Sequence, residues 1–425
     1  MLRHLDKVLF ALALGVLVFA YGVAVGKYDL FPYEMLNKSA DAASDLYRNW
    51  KSYALIEPTK YLHPARQPGA GVTIYDPERA YAGLTFMTGL FDREVALQIV
   101  DMQGAVVHRW IPDLDRISGG VDGELPAGSE YPFNKWDTEV HGAWVLRDGS
   151  VVFNYFATLL VKLDKCGNPL WIRPYVTHHS VFRSEDGSFW MSKRSYVAEG
   201  GPTPPMIVPP FKQESALQVS PDGEILREIP LARLLIDNGM EGLLFPTGTA
   251  SVRNPHDDFL HLNDVEVLQS ADAASFPMFE AGDVMVSLRH LNLVFVFDPD
   301  TLRIKWHQTG PWLQQHDPDF LPDGTISIFN NRRDHTRTGS VLGGSNITVV
   351  DPASHETRIA YEGSPEKPFY TDEMGKHQLL PNGNILIAES YGGRAFEVDE
   401  KGEIVWEHIN RVDDTHIAEF QEATR

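Results

Sequence analysis

One cysteine, Cys166, stands in a chain of 425 residues. A single thiol excludes an intrachain disulfide and a cysteine-rich zinc site. Basic residues are also scarce, with 37 Lys and Arg against 58 Asp and Glu, a formal net charge of −21 with His neutral. Such a chain repels a polyanionic backbone, which argues against nucleic acid as a partner. The acidic excess is spread along the chain and not held in a tail, so it reads as a solvated surface. No P-loop and no dinucleotide-binding glycine phrase is present, and no nucleotide cofactor is expected.

Charge is absent from one long stretch. Arg3 and Lys7 precede 19 uncharged residues, Val8 to Gly26. That run exceeds a signal-peptide core of about 7–15 residues and suits a spanning helix of about 20. Basic residues before the run favour a cytoplasmic N-terminus and place the remainder on the periplasmic, extracytoplasmic side. Ala24 and Gly26 also form a small-residue cleavage pattern, so residues 1–27 are an anchor or a signal peptide. Residues 34–60 carry apolar positions at helical spacing (Leu36, Ala40, Ala43, Leu46, Tyr47, Trp50) and predict a juxtamembrane helix. With the linker "HPARQPGAGV" they form a second segment, 28–70.

From residue 71 onward the chain is rich in strands and repetitive. An apolar strand, an Asp, a turn and a second strand recur as "LQIVDMQGAVVHRW", "LVKLDKCGNPLW", "LQVSPDGEILREI", "FVFDPDTLRIKW", "ITVVDPASHETRIAY" and "FEVDEKGEIVWEH". Most copies follow a second hairpin phrase, such as "HGAWVLRDGSVVFNY", "HHSVFRSEDGSFWMS" or "HDPDFLPDGTISIFNN". Two hairpins in tandem make a four-stranded unit, and units of about 40–50 residues stack around an axis because none buries both faces alone. The expected fold is all-β, a six-bladed β-propeller over 71–425, behind an N-terminal transmembrane helix and a juxtamembrane helix. Blades are expected at 80–112, 137–173, 176–230, 259–309, 314–363 and 375–408. Long connections at 112–136, 195–215, 231–258, 269–281 and 331–345 are expected as loops. Asp101, Asp164, Asp298, Asp351 and Asp399 read as turn formers, and Cys166 sits in such a turn.

The repeats set histidine in phase. His141, His179 and His316 each lie seven residues before the Asp of an Asp-Gly turn. His261 opens the matching strand in "LHLNDVEVL". In the sixth blade Gly375 holds the matching place and His377 follows two residues on, a step that keeps a side chain on one strand face. Five imidazoles are therefore expected at one channel mouth. The second strands end in polar residues expected at the same mouth: Asn154, Lys193 and Arg194, Arg289 and His290, Asn330 to Arg333, and Glu389 with Ser390. A lone strand histidine is usually a hydrogen-bonded filler, and duplication copies residues by descent. Blade packing favours apolar or small side chains, however, and converging imidazoles with Arg and Lys point to a site.

These phrases, with "AYAGLTFM", "HHS", "HLND", "QHDPDFLPDG" and "LPNGNILIAES", resemble the bacterial arylsulfotransferase family, the PAPS-independent arylsulfate sulfotransferases. The resemblance covers about residues 80–408. It implies sulfuryl transfer from an aryl sulfate to a phenol through a sulfohistidine, without metal or cofactor. It implies His377 as the sulfated residue and His316 as the axial histidine, acid/base or sulfuryl contact. His179 or His261 is the further axial histidine, and Arg332 or Arg333 binds the sulfuryl group. His141, Asn263, Arg289, His290, Asn330 and Asn331 are expected as substrate contacts. The expected partners are the phenolic substrates and the membrane, with room for a homo-oligomer or an envelope protein. The chain lacks the cysteine pair and the N-terminal β domain associated with the family.

The chemistry suits the residues independently. A sulfuryl group in transfer carries charge on three oxygens, which cations and N–H donors stabilise. A neutral imidazole serves as nucleophile and a second one as proton carrier. Two other readings fit a histidine-lined propeller: a His-ligated metal-dependent enzyme, and a non-catalytic membrane-anchored binding module.

Overall fold

A computed structural model describes residues 5–28, 30–119, 121, 125–127, 129, 132, 134–198, 201, 204, 207, 209–244 and 258–425. Arg3, which the topology argument uses, lies outside the described residues, as do positions within the connections expected at 112–136, 195–215 and 231–258. The chain divides into two compact units, Met1–Lys60 and Tyr61–Arg425.

The first unit holds two helices, α1 (Leu5–Tyr28) and α2 (Tyr33–Tyr53). Over Asp6–Tyr28, α1 has a mean hydropathy of 2.6 and leaves nearly all of its side chains uncovered. It is long and apolar enough to cross a membrane, and a signal sequence meets the same test. The second helix turns one face apolar and ends near Lys51, which pairs with Glu57 at 2.6 Å.

The second unit is a six-bladed propeller. Blades 2 to 5 read in chain order, innermost strand first. Their inner strands are Val140–Val145, Thr177–Arg183, Leu262–Val267 and His316–Phe320. Blade 6 begins at Lys376–Leu379 and gains a fifth, outer strand, Gly71–Tyr75. Blade 1 is built differently from expectation. Its three outer strands are Thr85–Phe91, Glu94–Val100 and Val106–Trp110, and its inner strand is Phe420–Thr424. That strand pairs antiparallel with the first of them, Ala423 facing Met87. The ring thus closes through both chain directions and buries the edges that an open sheet would expose.

The outer hairpins turn as their sequences predict. The carboxylates of Asp101, Asp164 and Asp399 each accept two backbone N–H groups within the next four residues. This is an Asx turn, closed by a glycine in the left-handed region such as Gly104 (φ +84°). Apolar faces of successive blades meet in continuous clusters, the largest between blades 3 and 4 around Trp190, Phe211, Phe295 and Phe297. The connection expected at 195–215 is shorter than predicted, because the flanking strands run Phe189–Val197 and Phe211–Val219.

Candidate active site

The inner strands share an irregularity that decides what faces the channel. In blades 1, 2, 4 and 5 the pairing register slips by one residue near the strand start, and in blade 3 by two; blade 6 keeps its register but has Gly375 in the left-handed region (φ +105°) just before its inner strand. Each of these irregularities breaks the side-chain alternation locally. Two successive residues per blade therefore look inward. The first of each pair forms an upper ring: His141, His179, Asn263, His316, Gly375 and Gln421. The second forms a middle ring: Ser180, Asp264, Asp317, Lys376 and Glu422. Blade 2 has Gly142 at that place, where a Cβ would collide with the carbonyl oxygen of His179. A lower ring, including Trp144, Phe182, Glu266, Asp319 and Gln378, opens into a vestibule of about 750 Å³. The upper cup leaves about 20 Å³ free, the room of a single water.

Four imidazoles meet in the upper cup. The His179 ring lies 4.3 Å from that of His141, 5.1 Å from His261 and 6.4 Å from His316. His179 and His261 adopt left-handed backbone angles, φ +57° and +51°, the first within its blade's register slip and the second just before its strand. His290 stands behind His261 at 4.6 Å, its Nδ1 held by the Asp258 carbonyl. Burial, then the neighbouring rings and cations, lowers His316 and His179 well below the ordinary imidazole value. The same cause, with His261 and Lys376 adding to it, takes His141 down to about 3. These rings are neutral at pH 7.

Each ring is oriented by a different partner. His316 Nδ1 bonds Asn331 Oδ1 at 2.7 Å. The Asn331 amide donates to the carbonyls of Thr371 and Met374 at 3.1 and 2.7 Å, so only its oxygen can face the imidazole. His316 therefore carries its proton on Nδ1. His261 Nδ1 lies 2.7 Å from Asp258 Oδ2. Burial alone would raise Asp258, and its bonds to His261 and Arg194 override this and hold it well below the carboxylate range. His179 Nδ1 bonds His178 Nδ1 at 2.7 Å, and His178 Nε2 bonds Glu214 Oε2 at 2.9 Å. Arg194 ties Glu214 to Asp258, at 3.0 and 2.7 Å.

Cations flank and floor the cup. Arg289 is 5% exposed, and its buried Nε has no partner among the described residues. Its Nη2 reaches Gln314 at 3.1 Å, and Glu373 lies 3.7 Å away. Arg333 pairs with the same Glu373 at 2.6 Å. Arg332 takes φ +49°, and its guanidinium has no ion pair among the described residues. Lys376 fills the middle ring, 2.7 Å from Asp317, 3.8 Å from Glu422 and 3.9 Å from Asp264. Burial pushes Asp264 and Glu422 up to about 7. Burial would raise Asp317 too, but Lys376 overrides it and holds it low.

The structure brings together His141, His179, His261, His316, Asn263, Arg289, His290 and Asn331. Asn330 turns its oxygen to the Leu313 N–H at the cup wall. Asn154 supports the cup by donating to the His179 carbonyl at 2.8 Å. Lys193 pairs with Glu228, and Glu389 binds Arg394. His377 stands apart, contrary to the two-residue step. In blade 6 the inward pair is 375 and 376: Gly375 (φ +105°) precedes the strand, Lys376 opens it facing the channel, and alternation turns residue 377 between blades, like Ala143, Val181 and Ala423. Its Nδ1 meets Asp317 at 3.1 Å and its Nε2 meets Ser327 Oγ at 2.7 Å. With Asp317 and Asp319 it forms a group close enough to hold a metal ion, but Asp317 already serves Lys376 and the His377 backbone N–H. Sequence reasoning missed His178, Glu214, Asp258, Lys376, Gln421 and Glu422. The adjacent pair "HHS" was the available signal for His178.

A family model described as Arylsulfotransferase (ASST) matches residues 142–411. The chain belongs to the arylsulfotransferase family. Its blades 2 to 6 carry the match, which ends before the strand that closes the ring. Family and fold together support an arylsulfotransferase-like function. Among curated proteins none matches the chain. A Bacteroides caccae protein of unknown function is similar at 14% identity, covering 77% of this arylsulfotransferase-family chain and 94% of that one, with a TM-score of 0.47. A streptogramin B lyase gives 12%, 83%, 88% and 0.41 for the same quantities. Virginiamycin B lyase from Staphylococcus aureus gives 12%, 64%, 70% and 0.37.

Proposed function

We propose that the cup transfers a sulfuryl group from an aryl sulfate to a phenol through a sulfohistidine, and that His316 is the nucleophile. The observation that carries this reading is the bond from His316 Nδ1 to Asn331 Oδ1, fixed by two backbone carbonyls. It leaves the Nε2 lone pair of a neutral ring free to attack sulfur. The S–N bond forms as the S–O bond to the aryl oxygen breaks. The phenolate takes a proton from a neighbouring ring, and an acceptor phenol reverses the sequence. Arg289, whose buried Nε has no partner among the described residues, stabilises charge on the sulfuryl oxygens, and Arg333 assists from the lip. This assigns to His316 the covalent role that the resemblance implied for His377.

Family membership supports the substrate class, α1 supports attachment to a membrane, and the basic residues before its apolar run favour a periplasmic propeller. The test is incubation with p-nitrophenyl sulfate, followed by phenol. Expected are nitrophenolate release, phenyl sulfate formation, and a trapped SO₃ adduct on the peptide containing His316. An adduct on another residue removes His316 from the role. An inactive protein on every aryl sulfate moves the reading to a binding module, and activity abolished by chelation moves it to a metal-dependent enzyme.

A further inference from the structure

Beneath the cup runs a chain of polar contacts that the reaction as described does not use. His178 and Glu214 are fully buried, 0% exposed. They lie behind His179 and do not reach the cup. We propose that His178 and Glu214 form a proton store for the sulfuryl-transfer site, taking the acceptor's proton through His179 and returning it to the next leaving phenolate. This rests on the proposed function and adds the residues that carry the proton between its two halves.

The contacts restrict where protons sit. Between His178 and His179 only one Nδ1 can hold the shared hydrogen, across 2.7 Å. Between His178 Nε2 and Glu214 Oε2, at 2.9 Å, only one atom can donate. A neutral imidazole has one ring proton. When Glu214 is ionised, His178 donates from Nε2, His179 donates from Nδ1, and His179 Nε2 offers a lone pair to the cup. When Glu214 carries a proton on Oε2, every donor reverses and His179 presents an N–H. The state of one buried carboxyl thereby sets the hydrogen-bonding sense of a ring in the cup.

In the acceptor half-reaction the phenol oxygen forms a bond to sulfur and the S–N bond breaks. The phenol proton goes to His179 Nε2, the His179 Nδ1 proton to His178 Nδ1, and the His178 Nε2 proton to Glu214. Both rings end neutral and Glu214 ends protonated. In the donor half-reaction the path runs backwards and the proton leaves with the aryl oxygen. No imidazolium forms among four packed rings. The groups facing Glu214 are His178, Arg194 and Asp258. Burial, with Asp258 adding to it, raises Glu214 well above the ordinary carboxyl value, which favours its taking up a proton.

The test is Glu214→Gln in the full-length chain. Arg194 Nε donates to Oε1, so the amide oxygen stays on that side and the NH₂ faces His178. The variant mimics the protonated store and cannot release its proton. Ring-nitrogen NMR of ¹⁵N-histidine protein, which needs no substrate, should show His179 fixed with its proton on Nε2 across neutral pH. In single turnovers, nitrophenolate release should stay within about threefold, because that leaving group needs no proton, while transfer to phenol should slow by about 10²–10³. His178→Gln should give the same split and serves if the first variant does not fold. An unchanged His179 spectrum overturns the proposal, as does an equal loss in both half-reactions. Inactive wild-type protein with the expected NMR response overturns the sulfuryl-transfer reading and leaves the proton path standing.

Discussion

Replacing Lys376 with methionine tests the electrostatics of the channel directly. Lys376 is the one cation of the middle ring and faces Asp317, Glu422 and Asp264 within 3.9 Å. Removing one partner of a buried ionic group typically costs about 3–5 kcal/mol, because the remaining charges lose compensation. The penalty should depend on pH. Asp264 and Glu422 titrate near 7 in the folded protein, against 3.8 and 4.5 ordinarily. A carboxyl with a raised folded value contributes its full stability below the unfolded value and loses it as pH rises towards 7. At about 1.4 kcal/mol per unit, Glu422 accounts for up to about 3.5 kcal/mol and Asp264 for up to about 4.5 kcal/mol of that slope. Asp317 behaves oppositely in the wild type, since its lowered value contributes stability that is lost only in acid. Without Lys376, Asp317 joins the raised group. Urea unfolding at pH 5 and pH 8 measures the difference. The expected cost of Lys376→Met is about 3–5 kcal/mol at pH 8, falling by about 2 kcal/mol or more at pH 5. A cost that is independent of pH, or larger in acid, refutes the reasoning.

His316→Ala should give no sulfated enzyme and no turnover. His377→Ala should still form the adduct, with a lower unfolding free energy from the lost contacts to Asp317 and Ser327; the opposite outcome returns the covalent role to His377. Arg289→Gln should slow transfer by about 10²–10³, as for one oxyanion donor. Arg333→Ala should cost less, because Arg333 is partly exposed and tied to Glu373, and steady-state rates compare the two. A reporter active only in the cytoplasm, fused after Arg425, should be silent; a cytoplasmic signal removes the periplasmic placement.

Much of the fold was legible because turns punctuate it. The Asp and Gly residues of Asp101, Gly104 and their repeats make local contacts, and local contacts can be read in order. The inner strand of blade 1 could not be read this way. Phe420–Thr424 pairs with Thr85–Phe91 across most of the chain, and nothing near either segment states that pairing. The site shows the same division. His141, His179 and His316 follow from their spacing to Asp-Gly turns. His377 misled because alternation holds only within a strand, and Gly375, with its left-handed φ of +105°, stands just before the strand that Lys376 opens. His178 and Glu214 were invisible for a related reason, since 36 residues separate them and only strand pairing in blade 3 brings them together.

The pairing of Phe420–Thr424 with blade 1 also sets an order of events during synthesis. Blade 1 leaves the ribosome first and must wait, its inner edge unpaired, while five further blades are made. Such distant pairing slows folding. Gln421 and Glu422 come with the late strand, one to the histidine cup and one to the Lys376 ring. The channel is therefore completed by the same step that closes the circle, and a chain released before residue 420 would have its histidines without the wall that encloses them.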